Sequence, residues 1–267
     1  MRDDPTALTD DPNRADHFLV GPLPDRLADR GPRYKETPPD PYAATAPPVA
    51  EPWNAVTAAL FVAIVLGWVG RLRGRFRDYP FLSCCLPILL AGGIGGTLYH
   101  AYRSRLAYFL LDVIPIQLLG LAASIYLTTR LVRGAKLWKV LAIALGLLVV
   151  FAAVNEGLFR LLDLPIRNLR VNLNYAALAL LILIPLGVVL VRTGFRHVGW
   201  VAGGLASFAI AWFFRLIDGT PYDTLPMGTH WLWHTFGAIT TQAVMEYFYR
   251  VEGDSKGERP PVATGGL

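Results

Sequence analysis

His230 and His234 stand four residues apart, so on a helix their imidazoles project from one face and can grip a single metal ion as neutral nitrogen ligands. A third nitrogen is available from His100; of the two remaining histidines, His17 lies near the N-terminus and His197 between apolar runs. Three histidines leave a tetrahedral zinc one open position, and zinc lowers the pKa of water held there toward about 7, which makes a hydrolytic nucleophile at neutral pH. Asp112 is the carboxylate suited to hydrogen-bond that water or a histidine and to pass a proton to a leaving amine. Alone, a His-x-x-x-His pair says little, because histidines at helix ends are commonly interfacial; the reading rests on whether the elements bring these residues to one depth.

Those elements are set by composition. Of the 267 residues 54% are hydrophobic and 17% charged, more apolar material than one soluble core needs. A bilayer core of about 30 Å takes roughly 20 apolar residues per helix, and the apolar runs predict an all-α polytopic bundle of seven transmembrane helices, over 53–71, 80–100, 107–129, 136–158, 172–192, 197–215 and 228–249. Pro80, Pro165, Pro221 and Pro226 fall in loops or at helix starts, whereas Pro87, Pro115 and Pro185 fall inside helices and predict kinks. Gly92-Gly-Ile-Gly-Gly96 predicts close backbone approach by a neighbouring helix.

With alternating spans, helix 1 starts, helix 2 ends, and helices 3 and 7 start at one membrane face. Glu51 and Asn54, His100, Asp112, and His230 with His234 occupy those four ends and can meet at one depth. Asn155, Glu156, Arg160, Arg215 and Asp218 belong to the same layer, where they either line a pocket mouth or face water at helix ends, the solvated reading being preferred. Gln117 and Gln242 are expected to hydrogen-bond between helices, and Glu246 to reach the opposite interface where water can solvate it.

Residues 1–48 hold ten of the twenty prolines and no useful apolar run, which predicts a disordered tail; a signal-peptide pattern is lacking, so the first helix should direct insertion. Residues 49–250 form the membrane domain and 251–267 a short second tail. Loops 1-2, 3-4, 5-6 and the C-terminal end carry thirteen Lys and Arg against six in the alternate loops, which predicts a cytoplasmic C-terminus with the N-terminus and the site extracytoplasmic. The net charge of +5 arises from short loops rather than one basic face, arguing against nucleic acid. Cys84 and Cys85 are adjacent within an apolar run and predict neither a disulfide framework nor a thiolate metal site.

Four segments carry a resemblance: Glu51-Pro-Trp-Asn-Ala-Val-Thr57, Gly93-Ile-Gly-Gly-Thr-Leu-Tyr-His100, Leu110-Leu-Asp-Val-Ile-Pro115 and His230-Trp-Leu-Trp-His234. In order and spacing they resemble the alkaline ceramidase family, part of a superfamily of seven-helix membrane hydrolases that includes the adiponectin-type receptors. The resemblance covers about residues 49–250 and implies hydrolysis of a ceramide-like amide, with His100, His230 and His234 as zinc ligands and Asp112 as the catalytic acid. Glu51 and Asn54 match the family's opening of helix 1. The chain departs from the pattern in having Gly96 where the family has serine, with Thr97 beside it as a substitute hydroxyl for oxyanion stabilisation. It also lacks the family's calcium-binding Asp-Trp-x-Glu-x-Asn segment before helix 1, and Glu51 alone makes no Ca2+ site. The expected partner is a membrane lipid substrate. The rival reading is a non-catalytic lipid receptor or sensor with a structural zinc; a transporter is disfavoured because the polar layer is peripheral and no internal repeat is seen.

Overall fold

The computed structural model describes residues 29–132, 136–161 and 169–254, and every regular element among them is helical. These are α1 (Pro52–Ala58), α2 (Leu60–Arg71), α3 (Pro80–Tyr102), α4 (Leu106–Leu131), α5 (Leu137–Leu161), α6 (Leu169–Arg192), α7 (Val198–Ile217) and α8 (His230–Asp254), with a short 3-10 turn at Phe76–Asp78. α1 and α2 form one rod, Pro52–Arg71, interrupted at Ala59. The interruption lies just past Asn54, whose carbonyl also receives His234 Nδ1–H and the Thr57 hydroxyl; diverting a ladder carbonyl is one of the usual causes of a helix break.

Six of the described helices are long and apolar enough to cross a membrane: Pro52–Arg71, Pro80–Tyr102, Leu106–Leu131, Trp138–Leu161, Asn172–Arg192 and Val198–Ile217. α8 is not among them. It carries His230, His234, Thr235, Thr240, Thr241, Gln242, Glu246 and Glu252, and its mean hydropathy falls accordingly. Much of this helix is buried against α7, α1 and α2, and several of its polar groups find protein partners. Trp68 Nε1–H donates to Gln242 Oε1 at 2.9 Å, the interhelical bond expected of Gln242. Gln117 Oε1, by contrast, is buried without a hydrogen-bond partner among the described residues. Glu246 is only 4% exposed and takes Arg71 at 2.5 Å and Arg250 at 2.9 Å, so arginines, not water, compensate its charge.

The prolines at 87, 115 and 185 lie inside α3, α4 and α6 as predicted. The glycine run sets the α3–α4 approach: a Cβ on Gly92 would sit 3.0 Å from Pro115, and one on Gly95 would sit 2.6 Å from the backbone carbonyl carbon of Leu111. Only glycine lets the two axes come this near, which carries Asp112 onto the end of α3 that bears His100. Cys84 and Cys85 are free thiols.

One expectation is corrected. Composition assigns residues 1–48 to a disordered tail, yet residues 29–48 lie across the site end of the bundle as turns and a strap; residues 1–28 and the segment 255–267 lie outside the described residues. The strap needs no apolar core of its own because buried polar contacts to the helices hold it.

Candidate metal centre

The centre begins at the backbone. The amides of Ala50 and Glu51 donate to the carbonyls of Ala101 and His100, at 2.8 and 3.1 Å, so the entry to α1 satisfies acceptors that the end of α3 leaves open. Glu51 thereby sits beside His100, and its Oε2 accepts Nδ1–H of that ring at 2.5 Å. Asn54 Nδ2 donates to the same oxygen at 3.1 Å. With Glu51 so engaged, α1 has no cap from its own N-cap side chain; Glu36 in the strap supplies it, accepting the amides of Trp53 and Asn54 at 2.7 and 3.0 Å.

α8 enters in a comparable way. Asp218 Oδ1 accepts the amides of Thr229 and His230 at 3.0 and 3.2 Å, fixing the first turn of the helix. His234, one turn on, directs Nδ1 at the Asn54 carbonyl, 3.1 Å away. A carboxylate and a carbonyl only accept, so the Nδ1 atoms of His100 and His234 carry the hydrogens and their Nε2 lone pairs remain for a ligand. This orientation of imidazoles by oxygen acceptors is what metal-binding histidines commonly show.

His100, His230 and His234 are all buried, and each offers a ligand nitrogen within 4.8 Å of the others. Their ring centroids lie 4.7 to 5.3 Å apart. Nε2 of His100 and Nδ1 of His230 are buried without a hydrogen-bond partner among the described residues, a cost that a metal ion would relieve. The trio can hold a metal ion. Glu51→Gln should keep the shape of the His100 partner but lose its charge, and we expect metal affinity to fall about tenfold, read by competition against a chelator. Unchanged affinity would show that Glu51 does not tune the centre.

Asp112 lies next to this group. Its Oδ1 would be 2.6 Å from a Cβ placed on Gly96, one turn before His100, and it is within electrostatic reach of His100, Arg215 and Arg103. Gly96 therefore opens the space the carboxylate fills. If the centre is catalytic, Gly96→Ala should displace that carboxylate and lower turnover on the order of 10- to 100-fold with metal content unchanged; an unaltered kcat would show that the carboxylate's position is immaterial. The Thr97 hydroxyl donates to the Gly93 carbonyl at 2.7 Å, a bond within α3.

Several neighbours escaped the sequence reading. Tyr34 of the strap stacks on His230, centroids 3.7 Å apart and rings inclined by 21°, and burial pushes its phenol up from the ordinary range. Arg103, which counted only as a loop cation, is fully buried against Asp29, Thr37 and Glu51. Burial would raise the Glu51 carboxyl, but the His100 hydrogen bond, with Arg103 and the Thr37 hydroxyl, outweighs it and holds it at about 2. Burial raises the Glu36 carboxyl despite its two amide donors. Arg215 and Asp218, expected to be solvated, line a cavity of about 20 Å³ beside His230 with Tyr34, Arg33 and Asn172. The sequence put both in the site layer, where lining a pocket mouth stood as the alternative to facing water.

The chain matches no protein-family model, and comparison with characterised proteins found no match. What the fold and the centre define is a helical protein with, among the described residues, six helices fit to cross a membrane and a three-histidine group that could hold a metal ion.

Proposed function

We propose that the chain is a zinc-dependent membrane hydrolase that cleaves the amide bond of a ceramide-like lipid, releasing a fatty acid and a sphingoid-type amine, as in the alkaline ceramidase family it resembles. One observation carries the reading: three buried histidines whose nitrogens converge within 4.8 Å, two of them oriented by oxygen acceptors, at the helix ends that also bear Asp112. In this reading α8 is a seventh span whose polar face turns inward, and the basic loops put the site on the extracytoplasmic side.

Zinc held by the three imidazoles would supply a low-pKa water and polarise the amide carbonyl. The chain's own groups do the rest. Glu51 and the Asn54 carbonyl keep the rings of His100 and His234 in place. Asp112 takes a proton as the water oxygen bonds to the acyl carbon, and returns it to nitrogen as the C–N bond breaks. An apolar groove of about 580 Å³ between α2 and α8, lined by Leu60, Ile64, Gly67, Ala238 and Ile239, includes Thr235, the residue after His234. It supports a substrate whose acyl chain stays in hydrocarbon while its amide reaches the histidines.

A receptor that keeps zinc for structure is the second reading, favoured by the commitment of Thr97 to its own helix and by the Tyr34 ring over His230. Elemental analysis of purified protein together with fatty-acid release from a panel of ceramides and phytoceramides separates the two. One zinc with amide cleavage is expected; zinc without cleavage on any substrate would favour the receptor, and absence of zinc would dismiss both.

A further inference from the structure

Arg103 ends α3 in a left-handed conformation, φ +49°, which a side-chain-bearing residue adopts only when its surroundings hold it there. The Tyr42 hydroxyl donates to its carbonyl, and its amide donates to Tyr99 O at 2.9 Å. The turn sends the guanidinium back beneath the strap, where the residue has no solvent exposure. A charge so buried is tolerable only when its donors are matched. Here they are: Nε donates to Asp29 Oδ2 at 2.8 Å, Nη2 to Pro32 O at 2.8 Å and Asp29 Oδ1 at 3.4 Å, and Nη1 to Thr37 Oγ1 at 3.1 Å and to Glu51 Oε1.

Two of these acceptors lead in opposite directions. Asp29 Oδ1 also accepts the amide of Gly31 at 2.7 Å, closing the turn that starts the strap, and Gly31 packs so tightly on the Tyr99 hydroxyl that no Cβ fits there. Glu51 carries the guanidinium on Oε1 and the His100 ring on Oε2. Farther along, the strap is fastened by Lys35, whose Nζ donates to Asp223 O at 2.6 Å, and it lays Tyr34 on His230. One guanidinium thus joins the segment that covers the centre to the carboxylate that orients a ligand.

We propose that Arg103 is a positioning residue of the metal centre: it latches the 29–37 strap over the histidines and at the same time holds Glu51 in register with His100. The inference rests on the reading of the three histidines as a metal centre, though not on what reaction that centre performs. Without Arg103, Glu51 is free to rotate away from His100 and Asp29 loses its counter-ion, so the strap and the metal loosen together. Arg103→Lys keeps the charge but lacks the planar fork, and cannot serve Asp29 and Glu51 at once.

The test uses the full-length protein loaded with cobalt(II), whose visible bands report ligand geometry, and with zinc challenged by a chelator. Tryptic cleavage after Arg33 reports the strap. Arg103→Ala should release zinc at least tenfold faster than wild type, shift the cobalt bands and speed strap cleavage, with Arg103→Lys in between. Asp29→Asn and Gly31→Ala, which leave Glu51 untouched, should speed cleavage and metal release in a protein that retains the Glu51–His100 bond, and they serve if the Arg103 variants do not fold. Faster cleavage in Arg103→Lys or Asp29→Asn with wild-type cobalt bands and zinc release would overturn the inference while leaving the metal centre standing. Wild-type protein that takes up neither ion would overturn the centre, and the inference with it.

Discussion

On the proposed function, His230→Ala is expected to lose the metal and with it all hydrolysis. The residue opens α8, is 2% exposed, and keeps its Nδ1 buried without a partner among the described residues. Removing its imidazole leaves two nitrogens where a catalytic zinc site uses three protein ligands. Losing a group that only supports a ligand costs about 10- to 100-fold in affinity, and losing the ligand itself should exceed 100-fold. Asp218 still accepts the amides at 229 and 230, so the start of α8 survives, and circular dichroism should show unchanged helix content. Zinc measured on the purified variant, beside fatty-acid release, checks the prediction; full zinc with full activity would remove His230 from the centre.

Asp112→Asn has the second largest expected effect and the opposite signature: metal retained, turnover lost by about 10²- to 10⁴-fold, the range that positioned acid–base groups supply. The substitution preserves shape, so the space beside Gly96 stays filled and the α3–α4 contact is undisturbed. In the proposed hydrolysis, what disappears is the carboxylate that holds a proton and passes it to the departing nitrogen. KM should change far less than kcat, because the loss bears on the transition state more than on the bound lipid. A variant that lost zinc along with activity would make Asp112 a ligand, and one with unchanged kcat would leave it no catalytic role.

The sequence by itself determined the helices and the register of the histidines. Apolar runs of about 20 residues are read locally, and the seven runs fall within a few residues of the rods observed. The i, i+4 spacing puts His230 and His234 on one face of α8, and alternation of the rods brings His100 to the same end. Gly92 and Gly95 likewise announced the α3–α4 approach, since only missing side chains permit it.

Tertiary structure alone decided how these groups are held. The bonds from Arg103 to Asp29 and Glu51 join residues 74 and 52 positions apart, and no periodicity records which acceptor a buried guanidinium will find. Proline-rich composition is blind to stabilisation by matched polar groups, which is how the 29–48 strap stays in place. Hydropathy is equally blind to how α8 is packed, because the polarity it counts includes His230, His234 and Glu246, which are buried in the folded chain. Local pattern is a property of one segment, whereas the cost of a buried charge or an unmet hydrogen bond depends on every segment packed around it, and that sum exists only in the folded chain.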